Sequence, residues 1–228
     1  MEKKFILTDK FVINSFGIKL FQIKCTKSFK YAQKGDFGGY VEKEGNLDQE
    51  NDAWVFGNAR VSGDARVSSN ARVSGDAWVS DNARVSGDAW VSDNAWVSGD
   101  ALVSGYAWVS GDARVSGDAR VSGNARVSGD ARVSGDACVS GNAWVSGDAD
   151  IENDNEHCGF DGFGSCNRHT HAYMTKEKKV EIICGCFRGS IEEFEKKVEE
   201  THSGTVYEKQ YKSIINVIKI KFGLTDFT

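Results

Sequence analysis

From Ala53 onward the chain repeats one pattern of buried and exposed positions every six residues. Alanine stands at 53, 59, 65 and onward to 149. Valine stands two places later, from Val55 to Val145, and Ile151 closes the series. Alanine and valine flank a single variable residue, so they share one face of a short strand. The Gly-Asp or Gly-Asn that follows supplies a tight corner where a positive φ is tolerated. A helix is excluded, because glycine is costly in a helix interior and six does not match a period of 3.6. Disordered low complexity does not need a fixed inward-facing position, so the unbroken spacing argues against it. The pattern predicts a mainly β chain whose centre is a parallel β-helix, three hexads making one triangular coil of 18 residues. Coils stacked at roughly 4.8 Å give a rod over 53–151 on the order of 27 Å long, its axis filled by alanine and valine.

A β rod has open edges at both ends and needs caps. Residues 1–40 are rich in Phe, Ile and Lys and read as an N-terminal β-hairpin cap, with strands at 4–14 and 19–25. Val41 and Leu47 stand six apart and six before Ala53, in phase with the inward column, so the hexapeptide-repeat β-helix is assigned to 41–152. Residues 153–170 read as a Gly-rich connecting loop, and 171–228 as a small ββαα module. In that module, strands over 171–175 and 179–184 flank a Lys176-Glu177-Lys178 turn. Ser190 and Glu193 form a capping box that opens a helix to about 201, and a second helix is expected over 206–222. Such a module is too small to stand alone and is expected to pack on the last coils or on another chain.

The variable position between Ala and Val should point outward, and sorting it by 18 gives three faces. The first carries Trp54, Arg72, Trp90, Trp108, Arg126 and Trp144; the second carries Arg60, Trp78, Trp96, Arg114, Arg132 and Asp150; the third carries Arg66, Arg84, Leu102, Arg120 and Cys138. All six tryptophans lie on the first two faces. Stacked Trp and Arg suit cation–π packing, which stiffens a rod, and the same array can grip planar or anionic ligands or a protein partner. Trp54, Arg72, Trp90, Trp108, Arg126, Trp144, Trp78 and Trp96 are the candidate binding residues. The corner aspartates and asparagines read as a solvated turn column without calcium-repeat spacing. Tyr106 interrupts that column and Leu102 the variable one; both read as drift, with a contact site as the alternative.

The formal net charge is −5, which does not favour general nucleic-acid binding. No apolar stretch is long enough to span a bilayer, the start lacks a signal-peptide core, and six scattered cysteines read as reduced thiols in a cytosol. His157, Cys158, Cys166, His169 and His171 are metal-capable, but their spacing is not that of a CxxC pair, so neither a metal nor another cofactor is expected. Cys184-Gly-Cys186 reads as strand-end packing. The coils hold no histidine and no extruded loop, and no triad or phosphate loop is visible, so the chain is read as non-enzymatic.

The A-x-V-S-G-D hexads resemble those of left-handed parallel β-helices; the left hand is implied by that resemblance, since ordinary crossovers are right-handed. Three segments together carry a narrower likeness: Gly35-Asp36-Phe37-Gly38-Gly39-Tyr40-Val41-Glu42 with Asn46-Leu47, the array itself, and Cys184-Gly-Cys186-Phe187-Arg188-Gly189-Ser190-Ile191-Glu192-Glu193-Phe194 with Glu200-Thr201-His202. In that order they resemble a group of phage- and prophage-encoded hexapeptide-repeat proteins, mostly uncharacterised. The resemblance covers nearly the whole chain. It implies a phage-encoded binding protein in the cytoplasm of the host bacterium, inhibiting antiviral defence by binding a defence protein or sequestering a small signalling nucleotide. A virion spacer or assembly protein is the second reading, and a hexapeptide-type acyltransferase the remote third. Homo-oligomers are expected, a trimer among them.

Overall fold

A computed structural model describes residues 3–224; the outermost residues of the expected cap and module, 1–2 and 225–228, lie outside the described residues. The centre is a parallel β-solenoid. Seventeen two-residue strands, from β4 (Trp54–Val55) to β20 (Asp150–Ile151), recur every six residues. They form three parallel sheets, and each residue pairs with the residue 18 further on, as Trp90 does with Trp108 and Val91 with Val109. Every inward valine is fully buried, as are nearly all the alanines. The corners run with positive φ at glycine, and Ser69, Asp81 and Asp93 adopt the same conformation.

The N-terminal cap has three strands, one more than the sequence pattern predicts. β1 (Phe5–Ile13) pairs antiparallel with β2 (Lys19–Cys25), and β2 with β3 (Phe37–Val41). The other edge of β3 pairs parallel with Arg60 and Val61 of the first coil. The cap is therefore continuous with one face of the rod, and its antiparallel strands cover the open edge there. Val41 lies opposite Val61 and Leu47 bridges Val67, so the inward column reaches back to both. Gly38 and Gly39 are needed for this approach. A Cβ on either would stand 2.6 Å from a backbone oxygen of the first coil, Val55 O or Ala59 O. Lys4 reaches into the same end and donates to Ala53 O at 2.9 Å and to Asn51 O.

The segment expected as a connecting loop at 153–170 is largely a β-hairpin. After a short 3-10 turn at Asp154–Glu156, β21 (His157–Phe163) turns through 164–167 into β22 (Arg168–Met174). Gly159 and Gly162 dilute its alternation and hide the strand from a pattern search, but its backbone pairs with β22. With β23 (Val180–Cys184) and β24 (Phe187–Ser190) the module is ββββαα rather than ββαα. Helices α1 (Ile191–His202) and α2 (Val206–Lys221) follow, and Ser190 with Glu193 closes the capping box.

The four-stranded sheet lies between the rod end and the helices. Ala172, Ile182 and Cys184 face Phe194, Val198, Ile214, Ile215 and Ile218. On the opposite face, the Nδ1 of His171 lies 3.0 Å from the oxygen of Trp144, and the Tyr173 hydroxyl lies 3.2 Å from Ser146 O and 2.6 Å from Glu181. Lys176 N–H donates to Asp148 O at 2.9 Å. The module thereby satisfies last-coil carbonyls that would otherwise lack a next coil.

Candidate functional site

The variable residues do lie on the outer face of each strand, but they are not equally open. Trp54, expected on an exposed binding face, is buried: Phe5 and Phe29 close on it edge-on with centroids at 6.4 and 5.3 Å. It anchors the cap and leaves the candidate surface. Trp78 is half-buried beneath Phe16 of the hairpin tip, at 5.9 Å, and stacks on Trp96 at 5.5 Å. Trp144 is exposed at the far end.

On the first face Trp90 and Trp108 stack nearly parallel, 5.2 Å apart with planes 6° from coplanar. Arg72 lies over Trp90 at 4.6 Å and under Tyr31 of the cap at 5.4 Å, while Arg126 lies over Trp108 at 5.9 Å. Four of the six indole N–H groups donate to a serine of the preceding coil: Trp78 to Ser62, Trp90 to Ser74, Trp96 to Ser80 and Trp108 to Ser92. Both outer π faces of the Trp90–Trp108 pair are thus covered and both N–H groups are satisfied. The pair stiffens the rod and presents edges, not faces, to solvent. Trp90→Ala with Trp108→Ala is expected to lower stability by about 3 kcal/mol in urea unfolding; a loss under about 0.5 kcal/mol would remove this structural role.

A groove of about 680 Å³ runs beside this stack, lined by Lys30, Arg72 and Arg126, by Tyr31, Trp90, Tyr106 and Trp108, and by Asp88, Asn124 and Asn142 on one corner. Lys30 and Tyr31 come from the cap, placed by the turn that joins β2 to β3, and no periodicity in the sequence points to them. The corner column here reads Asn70, Asp88, Tyr106, Asn124, Asn142. Asn70 donates to Asp88 at 3.2 Å, Asn124 to Asn142 at 3.2 Å, and Asn142 to Asp161 at 3.2 Å. Tyr106 breaks the ladder. It is 70 % exposed, and no aromatic ring among the described residues packs on it. Its signal in the sequence was the interruption of an otherwise Asp/Asn column, and the groove gives that interruption a place. Arg72 and Arg126 form no ion pair among the described residues, and the Nε of Arg72 is buried without a partner.

The three histidines of the module pack against one another, with His157 and His169 centroids 5.3 and 5.7 Å from that of His171, but the cysteines do not join them into a ligand set. His157 Nδ1 lies 3.1 Å from His171 Nε2, and His169 Nδ1 lies 2.8 Å from Asp161. With Nδ1 of His171 donating to Trp144 O, its Nε2 accepts from His157, which fixes both tautomers. Burial drives the His171 pKa down to about 3 and lowers that of His157, and it pushes the Cys158 thiol up to about 11. Cys166 is exposed. Among the described residues no group of three or more His, Cys, Asp or Glu is placed to hold a metal ion. The histidines act as a clamp between the last coil and the module.

Eight stretches of the rod, 53–69, 65–81, 77–93, 95–111, 113–129, 119–133, 125–141 and 131–147, match the family described as YdcK beta solenoid repeat. The matches lie wholly within the solenoid and leave both caps unmatched. No curated protein matches the chain.

Proposed function

We propose that this is a non-enzymatic, phage-encoded binding protein of the host cytoplasm that inhibits antiviral defence by sequestering a signalling nucleotide in the first-face groove. Phage origin rests on the resemblance carried by the two terminal motifs. The ligand class rests on chemistry: a chain of net charge −5 sets Lys30, Arg72 and Arg126 beside Tyr106 in a groove of small-ligand size. Phosphate suits the arginines, and a base suits an open ring. The observation that carries the reading is Tyr106, an exposed aromatic at a position that elsewhere holds Asp or Asn.

The test is a return to the repeat consensus. Tyr106→Asn is expected to keep or raise the melting temperature, because the asparagine rejoins Asp88 and Asn124 in the side-chain ladder. The same change is expected to lower nucleotide affinity at least ten-fold by calorimetry and to abolish protection of phage in a defence assay. Unchanged binding and protection would sink the proposal. Protection lost without nucleotide binding would redirect it to a defence protein as the partner.

One observation favours the virion spacer as a second reading: the tryptophan ladder is internally complete, with faces and N–H groups already satisfied. A spacer tolerates Tyr106→Asn and also deletion of one whole coil, 18 residues in the sequence, whereas a groove built from cap and coils together does not. Homo-oligomerisation is compatible with both readings and is measured by light scattering.

A further inference from the structure

We infer that the break in the corner column at Tyr106 is a base-reading subsite for a guanine edge, the base stacked on Tyr106 and held by the Asp88 carboxylate. This rests on the nucleotide reading above and names its specificity. The break is a chemical one as well as a steric one. Asp88 uses one oxygen on Asn70, and Asn124 spends its amide N–H on Asn142. Among the described residues, the second carboxylate oxygen of Asp88 and the side-chain oxygen of Asn124 have no hydrogen-bond partner. Two acceptors therefore flank an open aromatic ring, one on the rung before it and one on the rung after.

Heights agree with this placement. Rungs are spaced by roughly 4.8 Å and aromatic surfaces touch at roughly 3.5 Å. A base stacked on the side of Tyr106 that faces Asp88 thus lies near the level of that carboxylate. The Asp88 carboxylate offers two adjacent oxygens, one free and one shared with Asn70, and such a pair selects a base edge with adjacent N–H donors, which is the N1–H and 2-amino pair of guanine. Adenine offers its 6-amino group beside the bare N1 acceptor, which a carboxylate repels. Arg72, Arg126 and Lys30 remain for the phosphates, and the guanidinium of Arg72 makes no hydrogen bond among the described residues. The free nucleotide is the favoured source, because the cap residues Lys30 and Tyr31 close one end of the groove and the chain as a whole is acidic.

The test is calorimetric titration of the full chain with GMP, IMP and AMP, repeated on Asp88→Asn. Asparagine is native at this corner at positions 70, 124 and 142, so the fold should accept the change. GMP is expected to bind about ten-fold or more tightly than AMP, with IMP, which keeps N1–H and lacks the 2-amino group, in between. Asp88→Asn should lower GMP affinity about ten-fold and raise that of AMP, because the amide removes the repulsion and can donate to adenine N1. Equal affinities for GMP and AMP, or an equal loss of both in Asp88→Asn, overturns the subsite and leaves the nucleotide reading standing. No binding of any of the three overturns both. A guanylate trinucleotide that competes far better than GMP would overturn the free-nucleotide assignment in favour of single-stranded RNA.

Discussion

Replacing Gly87 by valine is expected to break the rod in its middle, with a loss of about 3 kcal/mol or more in urea unfolding. Gly87 turns a corner at φ +68°, and a Cβ there would stand 2.9 Å from both the nitrogen and the oxygen of Gly105 in the next coil. Neither obstacle is a flexible side chain. Both are backbone, and the oxygen belongs to the ladder that holds coil to coil, since Asp88 N–H donates to Gly105 O at 2.8 Å. A β-branched residue adds its own cost in the left-handed region. Asp81 and Asp93 show what a tolerated residue needs, because each adopts φ +60° and its carboxylate accepts the N–H of Gly99 or Gly111 in the next coil at 3.1 Å. Gly87→Asp brings the same Cβ but no β-branch, and its carboxylate can accept from the next coil, so it is the control and is expected to cost clearly less than valine. Because each coil contacts only its neighbours, the valine variant should unfold in two steps and not one. A single transition within about 1 kcal/mol of the parent would show that the corners are less constrained than their stacking implies.

The same corners explain how much of this molecule was legible beforehand. The solenoid follows from Ala and Val at fixed spacing, since an unbroken period leaves one inward face and one register. Val41 and Leu47 extended it by the same arithmetic. The hairpin at residues 157–174 was missed because glycines at 159 and 162 remove side chains from the alternation, while pairing is carried by the backbone. The burial of Trp54 was also out of reach. Its hexad departs from the others only in Phe56, which replaces serine and packs on Tyr31, and it is the fold of the cap that brings Phe5 and Phe29 onto Trp54. The groove combined both cases. Its tryptophans and arginines were visible as columns, yet Lys30 and Tyr31 come from a loop whose place is set by β3 joining the first coil. Tyr106 was visible as an exception and read as drift, because a column shows that a residue departs from its neighbours but not what it faces.

Acid should loosen the junction between rod and C-terminal module well before it reaches the carboxylates. His171 is 1 % exposed, and burial lowers its pKa from 6.5 to about 3; His157 is lowered in the same direction. The unfolded chain therefore binds protons below pH 6.5 that the folded chain refuses. The stability these neutral rings allow is fully present above pH 6.5 and falls as pH drops through the window from 6.5 to about 3. For His171 the slope is about 1.4 kcal/mol per pH unit, so moving from pH 6.5 to 5 costs about 2 kcal/mol, and His157 adds to it in the same direction. The groups that face the pair are few. Asp154 lies 3.6 Å from His157 Nε2 and partly offsets its desolvation; His169 adds positive charge against His171, and Lys221 against His157. Asp48 and Asp161 have lowered pKa values, so their contributions are lost only below about pH 3.8 and leave the window from 6.5 to 5 to the histidines. Urea midpoints at pH 7, 6 and 5, followed by tryptophan fluorescence, measure this slope, and His171→Gln should flatten it while lowering stability at pH 7. A wild-type slope no steeper than that of His171→Gln would assign the acid sensitivity elsewhere. The first step should be release of the module, because protonated His171 can no longer accept from His157 at Nε2 and would carry a charge into the buried junction between β22 and the last coil.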